Sequence, residues 1–227
     1  MSEHVHGANL LPSSRRLSPS PCSQDTRPLR LTTLLGDGLL AECVHREGAI
    51  GEAYRLTVDV LASDALPAKA LVGQPALLQL PTADSFSALR SFHGYITAAE
   101  PGGARGGVVR YVLTIAPWST FLSLGRDSRS YRDMTVFDIL DVVFGSHAGR
   151  GKLACAWRFE VADQGVYPKR SLSTQHQESD LAFAERLMLE EGLFYFFEHS
   201  GEPGSAAFGS HTMVIAEALY LLAMDEY

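Results

Sequence analysis

The segment QHQESDLAFAERLMLEEGLFYFFEH, residues 175–199, contains a helix pattern followed by a strand pattern. Ser179 or Asp180 can cap a helix whose first turn is acidic, where the helix dipole favours negative charge. The apolar residues at helical spacing are Leu181, Ala184, Leu187 and Met188. Gly192 can end the helix in a left-handed conformation. The run LFYFFEH is apolar on both sides, which predicts a strand covered on both faces or lying at a subunit interface.

The same segment carries residue types that occur in active sites, since carboxylates can do acid–base chemistry and histidines can bind metals. The candidate acids are Glu178, Asp180, Glu185, Glu190 and Glu191, and the candidate ligands are His176 and His199. Glu185 and Glu190 lie about 140° apart around a helix and do not share a face. The chain has neither an HExxH motif nor a GxSxG elbow. We therefore interpret the acids as caps and solvated positions, and expect no catalytic, cofactor-binding or metal-binding residue.

Composition narrows the classes of function. The chain has 227 residues, of which 46% are hydrophobic and 20% charged, as in a soluble globular protein of one or two domains. A net charge of −7 argues against nucleic acid as a partner. Cys22, Cys43 and Cys155 are far apart and odd in number, so we interpret them as free thiols of a reducing cytosol. No apolar run approaches the roughly 20 residues of a membrane span.

The N-terminal region differs in composition from the rest of the chain. Residues 1–28 are rich in Ser and Pro without an apolar period, which predicts a disordered arm. His4 and His6 form an HxH pair that could bind a metal, although in such an arm a solvated pair is favoured. The arm has no apolar stretch of the kind a signal peptide needs. We expect any export to proceed without a standard leader.

Short runs in which apolar and polar residues alternate begin near Leu29. In AYRLTVDV, residues 53–60, and VVRYVLTIAP, residues 108–117, every second residue is apolar, as in half-buried strands. The glycine-rich stretch PGGARGG, residues 101–107, could suggest a phosphate loop, but a strand and not a helix follows it. We interpret it as the tip of a long β-hairpin. Residues 29–124 together predict an antiparallel barrel or sandwich.

A helix and further strands are predicted after residue 124. In TVFDILDVVFG, residues 135–145, Thr135 and Asp138 have the spacing of a capping box, and Gly145 ends the apolar stripe. The run AWRFEVAD, residues 156–163, predicts a strand. The segment YPKRSLSTQ then leads into the helix and strand of residues 175–199.

Several motifs resemble one family in order and spacing. They are FHGYITAAE, RYVLTIAPWSTFLSLGRDSRSYRDMTVFDIL, WRFEV, YPKRSLSTQHQESDLAFAERLMLEEGLFYFFEH and HTMVIAE. From about Leu31 to Glu217 the chain resembles the N-terminal region of VgrG proteins, the valine-glycine-repeat spike proteins of the type VI secretion system. These proteins are related to the baseplate hub of contractile phage tails. The block QxxESDLAFxxRLxxEEGxxYxFEH is the most specific part.

The resemblance implies a structural role and a mainly β, α+β fold. Family members trimerise, and each subunit supplies two similar barrels, so that a pseudo-sixfold ring meets the hexameric tube protein. The resemblance implies a first hub-like barrel over residues 29–124, closed by Pro117 and Trp118, and an α/β insert over residues 125–217. Other implied partners are a spike-tip protein and effectors, and a target membrane reached only through a C-terminal needle. Assembly is expected in the cytoplasm, followed by secretion through the type VI route, without enzymatic activity.

The end of the chain departs from the family pattern. Residues 218–227 follow HTMVIAE without a second barrel or a needle, which predicts a truncated or divergent tail. We expect the chain alone to be a monomer or a polydisperse aggregate that does not bind tube rings, with Leu193, Tyr195 and Phe197 exposed if their covering partner is missing. The alternative function is a small metal-dependent hydrolase that uses His and Glu residues around 176–199.

Overall fold

The computed structural model describes residues 28–82, 85–105, 107–201 and 208–217. Apart from Pro28, the predicted arm of residues 1–28 lies outside this part of the chain, as does the predicted tail of residues 218–227. No helix in the described ranges combines the length and the apolar character needed to cross a membrane.

The described residues form strands, three α-helices and three short 3-10 turns. The strands are β1 (Arg30–Thr33), β2 (Leu39–Glu47), β3 (Arg55–Ala62), β4 (Pro75–Thr82), β5 (Ser85–Arg105), β6 (Val108–Ala116), β7 (Asp127–Tyr131), β8 (Trp157–Glu160), β9 (Ser173–Glu178), β10 (Leu193–Ser200) and β11 (Ser210–Glu217). The helices are α1 (Ala68–Leu71), α2 (Val136–Gly145) and α3 (Asp180–Glu190), and the 3-10 turns are Gly36–Gly38, Trp118–Ser123 and Gln164–Val166.

The first six strands form one antiparallel sheet in the order β1-β4-β5-β6-β3-β2. Its edge strands β1 and β2 approach each other, so the sheet curls into a half-barrel. Alternation gives the sheet an apolar inner face, where Leu56, Val58 and Val60 of β3 are buried. Val58 lies opposite Leu113 of β6, which is also buried. The predicted antiparallel barrel is therefore present as a half-barrel.

The glycine-rich stretch lies in the hairpin between β5 and β6. Arg105 pairs with Val108 next to the turn, and β5 shifts register between Pro101 and Gly103. Gly103 and Gly107 have φ angles of +102° and +80°, which glycine adopts without a Cβ clash. A strand follows the turn, so the hairpin interpretation is confirmed and the phosphate loop is excluded.

The remaining elements form a second core. A three-stranded sheet has the order β10-β11-β8, and β7 pairs with β9 in a separate ribbon. Helices α2 and α3 contact each other, and their buried faces meet Trp118 and Tyr195 in one cluster. Trp118 was expected to close the barrel, yet its side chain is part of this second cluster. The boundary between residues 124 and 125 stays a prediction, since β10 and β11 contact β5 across it.

The helix ends agree with the sequence patterns. Thr135 and Asp138 form a complete capping box at the start of α2. The Ser179 hydroxyl accepts a hydrogen bond from the Ala182 backbone N–H at the start of α3. Gly192, with φ of +69°, follows the end of α3 in the predicted left-handed conformation. The buried face of α3 also includes Phe183, which the predicted stripe omitted.

The apolar side chains of β10 were expected to be exposed only if their covering partner were missing, and that condition is not met. Leu193 and Tyr195 are only 5% and 1% exposed, and Phe197 is partly buried against both core clusters. The reason is that β11 pairs with β10 along its whole length and α3 covers the inner face. The chain itself therefore supplies the covering partner of this strand.

Candidate functional site

Three histidines meet where the half-barrel contacts the second core. His93 lies on β5, His199 on β10 and His211 on β11. His93 and His211 are buried, and their Nδ1 atoms are 2.7 Å apart. His199 Nδ1 accepts a hydrogen bond of 3.2 Å from the His93 backbone N–H. We call these three side chains the histidine cluster.

Backbone donors determine which nitrogen of each ring carries the proton. His211 Nε2 accepts from the Trp118 backbone N–H at 3.0 Å, so the neutral ring carries its proton on Nδ1. That proton is donated to His93 Nδ1, so His93 carries its own proton on Nε2. His199 Nδ1 is likewise an acceptor. Adding a proton to any accepting nitrogen would break a hydrogen bond of the cluster.

Burial keeps the cluster uncharged. Burial lowers the pKa of His93 to about 4 and, together with the nearby His93, Arg46 and Arg90, lowers the pKa of His199 to about 4. Burial lowers the pKa of His211 further, to about 2, with His93 and His199 contributing. The three rings are therefore neutral at physiological pH.

Aromatic rings surround the histidines. The Tyr54 hydroxyl donates a hydrogen bond to the His93 carbonyl, and its ring contacts Phe197 and His199 edge to face. Burial raises the pKa of Tyr54 well above its usual value, so the phenol stays protonated. The Tyr95 hydroxyl accepts from the Ala154 backbone N–H at 2.7 Å. Side chains of the half-barrel are thus hydrogen-bonded to backbone groups on both sides of the junction.

This arrangement suits a structural joint better than a reaction centre. The accepting nitrogens of the cluster, His93 Nδ1, His199 Nδ1 and His211 Nε2, each face an N–H group of the protein. In residues 28–82, 85–105, 107–201 and 208–217, no three His, Cys, Asp or Glu side chains are grouped to hold a metal ion. The chemistry available here is hydrogen bonding between two parts of the fold.

The two histidines of the hydrolase alternative lie on different sheets. His176 is exposed on β9 and stands opposite Ser128 of β7. His199 stands opposite His211 of β11, in the histidine cluster. The pattern around residues 176–199 therefore does not bring these two rings into one described site.

Two of the candidate acids have partners that the sequence did not indicate. Asp180 was interpreted as a cap, but its carboxylate accepts from His147 Nε2 at 2.6 Å and from Gln175 Nε2 at 2.7 Å. Although burial raises the Asp180 pKa, these hydrogen bonds lower it below its usual value. Glu185 was interpreted as solvated, yet its Oε1 accepts from the Tyr195 hydroxyl at 2.8 Å. Both interpretations are corrected, because each acid satisfies a buried or half-buried donor.

The other acids of the segment form ion pairs at the surface. Glu178 pairs with Arg186 at 2.6 Å, and Glu191 pairs with Arg170 at 2.5 Å. Glu190 lies between the same two arginines, 2.6 Å from Arg170 and 2.9 Å from Arg186. These pairs are partly exposed to solvent, and pairs of this kind contribute about 0–1 kcal/mol each. They fit the predicted surface role of this helix face.

Sequence reasoning missed His93, His147 and His211. Each is a single histidine whose neighbours carry no spacing that indicates a site. His93 and His211 do lie inside two of the family-like motifs, FHGYITAAE and HTMVIAE. Only the packing of β11 against β5 shows that these two side chains touch.

Comparison with known proteins gives the relatives of this chain. A family model described as the phage tail baseplate hub (GPD) matches residues 46–224. The type VI secretion system spike protein VgrG4b of Pseudomonas aeruginosa is 32% identical over 196 residues, which are 86% of this chain and 23% of that protein. The spike protein VgrG5 of the same organism is 31% identical over 191 residues, 84% of this chain and 23% of that protein.

A solved structure shows the same fold. It is an E. coli protein described as a component of the type VI secretion system with structural similarity to the T4 phage tail proteins gp27 and gp5. It superposes with a TM-score of 0.65 at 21% identity, over 83% of this chain and 49% of that chain. The predicted hub-type fold class and the resemblance to VgrG proteins are confirmed. The chain spans less than a quarter of the length of the two spike proteins.

Proposed function

This chain belongs to the phage tail baseplate hub family, and from that membership we propose that it serves as the N-terminal hub part of a type VI secretion spike. The observation that carries the proposal is the family match over residues 46–224, which includes the second core and most of the half-barrel. Residues 29–124 would supply the first hub barrel, and residues 125–217 the α/β insert.

The role that we propose is assembly and not catalysis. The curated relatives named above are spike proteins, and the acids of residues 175–199 that suggested chemistry form caps, ion pairs and hydrogen bonds. The partners are further hub subunits in a trimer and a hexameric tube protein, with a spike-tip protein and effectors beyond them. Assembly would take place in the cytoplasm before secretion by the type VI route. The metal-dependent hydrolase has no supporting observation in the described residues.

A chimeric spike tests this proposal. Residues 29–217 of this chain would replace the matching region of the spike protein VgrG4b. Secretion of the tube protein that belongs to the VgrG4b system would then be measured in cells that lack their own spike. We expect the chimera to support secretion, because the inserted region carries the hub fold. A control spike with the same region deleted should not support it.

The decisive negative result is a stable chimera that fails to support secretion. Stability is checked by the amount of soluble chimera and by its sedimentation as a trimer. A soluble, trimeric chimera without secretion would refute the hub function of this region.

A further inference from the structure

A pocket of about 360 Å³ opens on the surface beside the second core, away from the histidine cluster. It is bordered by the 3-10 turn Trp118–Ser123, the start of β7, the end of α2 and the start of α3. Its apolar wall includes Leu153 and Leu124, and Leu124 is 79% exposed. Its polar wall includes Arg126, Arg129 and Arg150. We call it the arginine pocket.

Both acids of the arginine pocket already have partners within the chain. Asp127 pairs with Arg129 at 2.5 Å, and Asp180 accepts from His147 Nε2 at 2.6 Å. The lowered pKa of Asp180 keeps that carboxylate ionised at neutral pH, so it holds the His147 N–H. These internal pairs leave no free carboxylate in the pocket wall.

Two arginines of the pocket have guanidinium groups that form no ion pair within the described residues. The Arg126 guanidinium donates to the Gln177 carbonyl at 3.0 Å, and no carboxylate pairs with it in the described part of the chain. Arg150 has no ion pair there either, and only its backbone is hydrogen-bonded. In a chain of net charge −7, two arginines without acidic partners therefore border one concave site. Guanidinium groups match carboxylates through paired N–H donors.

We propose that the arginine pocket binds a carboxylate side chain with an adjoining apolar residue, presented by an acidic segment of a partner protein. Charge complementarity carries this choice, because Arg126 and Arg150 supply donors while Leu124 and Leu153 offer an apolar contact. The volume fits one or two side chains, at the lower end of the roughly 300–1,000 Å³ of ligand pockets. The His147 ring lies in the wall of the pocket, hydrogen-bonded to Asp180.

The test is an NMR titration of the full chain with the peptide amide acetyl-Leu-Glu-Leu-Glu-Leu. We expect chemical-shift changes confined to residues 121–129, 147–153 and 180. The matched peptide with Gln in place of Glu should bind about ten- to a hundredfold more weakly, because it lacks the charge-assisted hydrogen bonds. Inorganic phosphate at the same concentration should cause no comparable shifts.

Variants test whether peptide binding depends on the arginine pocket or only on the overall charge of the chain. Arg126→Gln and Arg150→Gln should each weaken binding of the Glu peptide by about tenfold, with unchanged folding. Arg132→Gln is the matched control, since Arg132 is exposed and outside the pocket, and it should leave binding unchanged.

Four outcomes would overturn the proposal. They are equal binding of the Gln peptide, equal shifts with phosphate, equal loss in the Arg132→Gln control, and self-association of the chain that Arg150→Gln abolishes. The last would show that a second copy of this chain is the occupant. None of them bears on tube-protein secretion by the chimeric spike, so the hub function is tested independently.

Discussion

Among single residues, Glu185 departs from its sequence pattern, whereas Glu190 on the same helix follows it. Both are acids on the outer positions of α3, and the sequence alone predicts that either can be replaced without loss. Glu185 accepts from the hydroxyl of Tyr195, a side chain that is only 1% exposed. Burial, together with Glu185, raises the pKa of Tyr195, so the phenol remains a donor. Glu190 instead joins two exposed arginine pairs.

We predict different costs for the two alanine substitutions. Glu185→Ala should lower the free energy of unfolding by about 1–3 kcal/mol, because it removes the hydrogen-bond acceptor of the hydroxyl of buried Tyr195. Glu190→Ala should cost no more than about 1 kcal/mol, as for surface pairs. Urea denaturation of both variants measures the difference. Equal, small losses of unfolding free energy in the two variants would show that Glu185 is merely solvated. If Glu185→Ala loses more, adding Tyr195→Phe to it should recover part of that loss.

At the scale of the element, α3 is positioned by its buried face. Phe183, Ala184, Leu187 and Met188 are buried and meet the second core, while Leu189 on the opposite side is 79% exposed. The cap at Ser179 and the left-handed Gly192 set its ends. Burial of that face, more than the helix propensity of eleven residues, stabilises the element.

Two leucines of α3 provide a matched pair of substitutions. Leu187 is 0% exposed, and Leu187→Ala should leave a cavity that lowers the free energy of unfolding by about 2–5 kcal/mol. Leu189→Ala on the exposed side should change it by less than about 0.5 kcal/mol. Thermal and chemical denaturation of both variants checks the register of the helix. A Leu187→Ala protein as stable as Leu189→Ala would mean that the helix is rotated.

At the scale of the whole molecule, the histidine cluster joins the two cores. His93 belongs to the half-barrel, whereas His199 and His211 belong to the three-stranded sheet. The Gly51 backbone N–H also donates to the Tyr195 carbonyl at 2.8 Å across the junction. Arg46 and Arg90 lie near His199, and their charges oppose its protonation.

We predict that the junction is sensitive to acid. Because the three folded-state pKa values lie below 6.5, the unfolded chain binds more protons as the pH falls below that value. The stabilisation is complete above pH 6.5 and is lost progressively towards pH 4. Each histidine contributes up to about 1.4 kcal/mol per pH unit in this range. The lowered pKa values of Asp180, Glu190 and Glu198 act in the same direction, but mainly below about pH 4.5.

Urea denaturation between pH 4.5 and 8 measures this dependence. The free energy of unfolding should be flat above pH 7 and fall steeply between pH 6.5 and 4.5. His211→Asn should reduce the change of the free energy of unfolding with pH by the equivalent of about one proton taken up on unfolding. His45→Asn, at an exposed position, is the control and should leave this dependence on pH as it is. If His211→Asn leaves the pH dependence of the free energy of unfolding unaltered, the acid sensitivity comes from other groups.

The sequence by itself determined the elements and the class of the fold. Alternation in the strands, the capping box at Thr135 and Asp138, and the stop at Gly192 depend on neighbours within a few residues, so their patterns are readable along the chain. The family-like motifs extended this to the hub fold and to relatives among spike proteins. The domain boundary between residues 124 and 125 stays a prediction from the sequence.

Only the tertiary structure decided which distant residues touch. His93 and His211 are 118 positions apart, and His147 and Asp180 are 33 apart, so no local period can relate them. The cover of β10 by β11 and α3, and the acceptor role of Glu185, likewise depend on strand pairing and helix packing. Side-chain contacts of this kind arise from the arrangement of whole elements, because burial brings together groups that the chain order keeps apart.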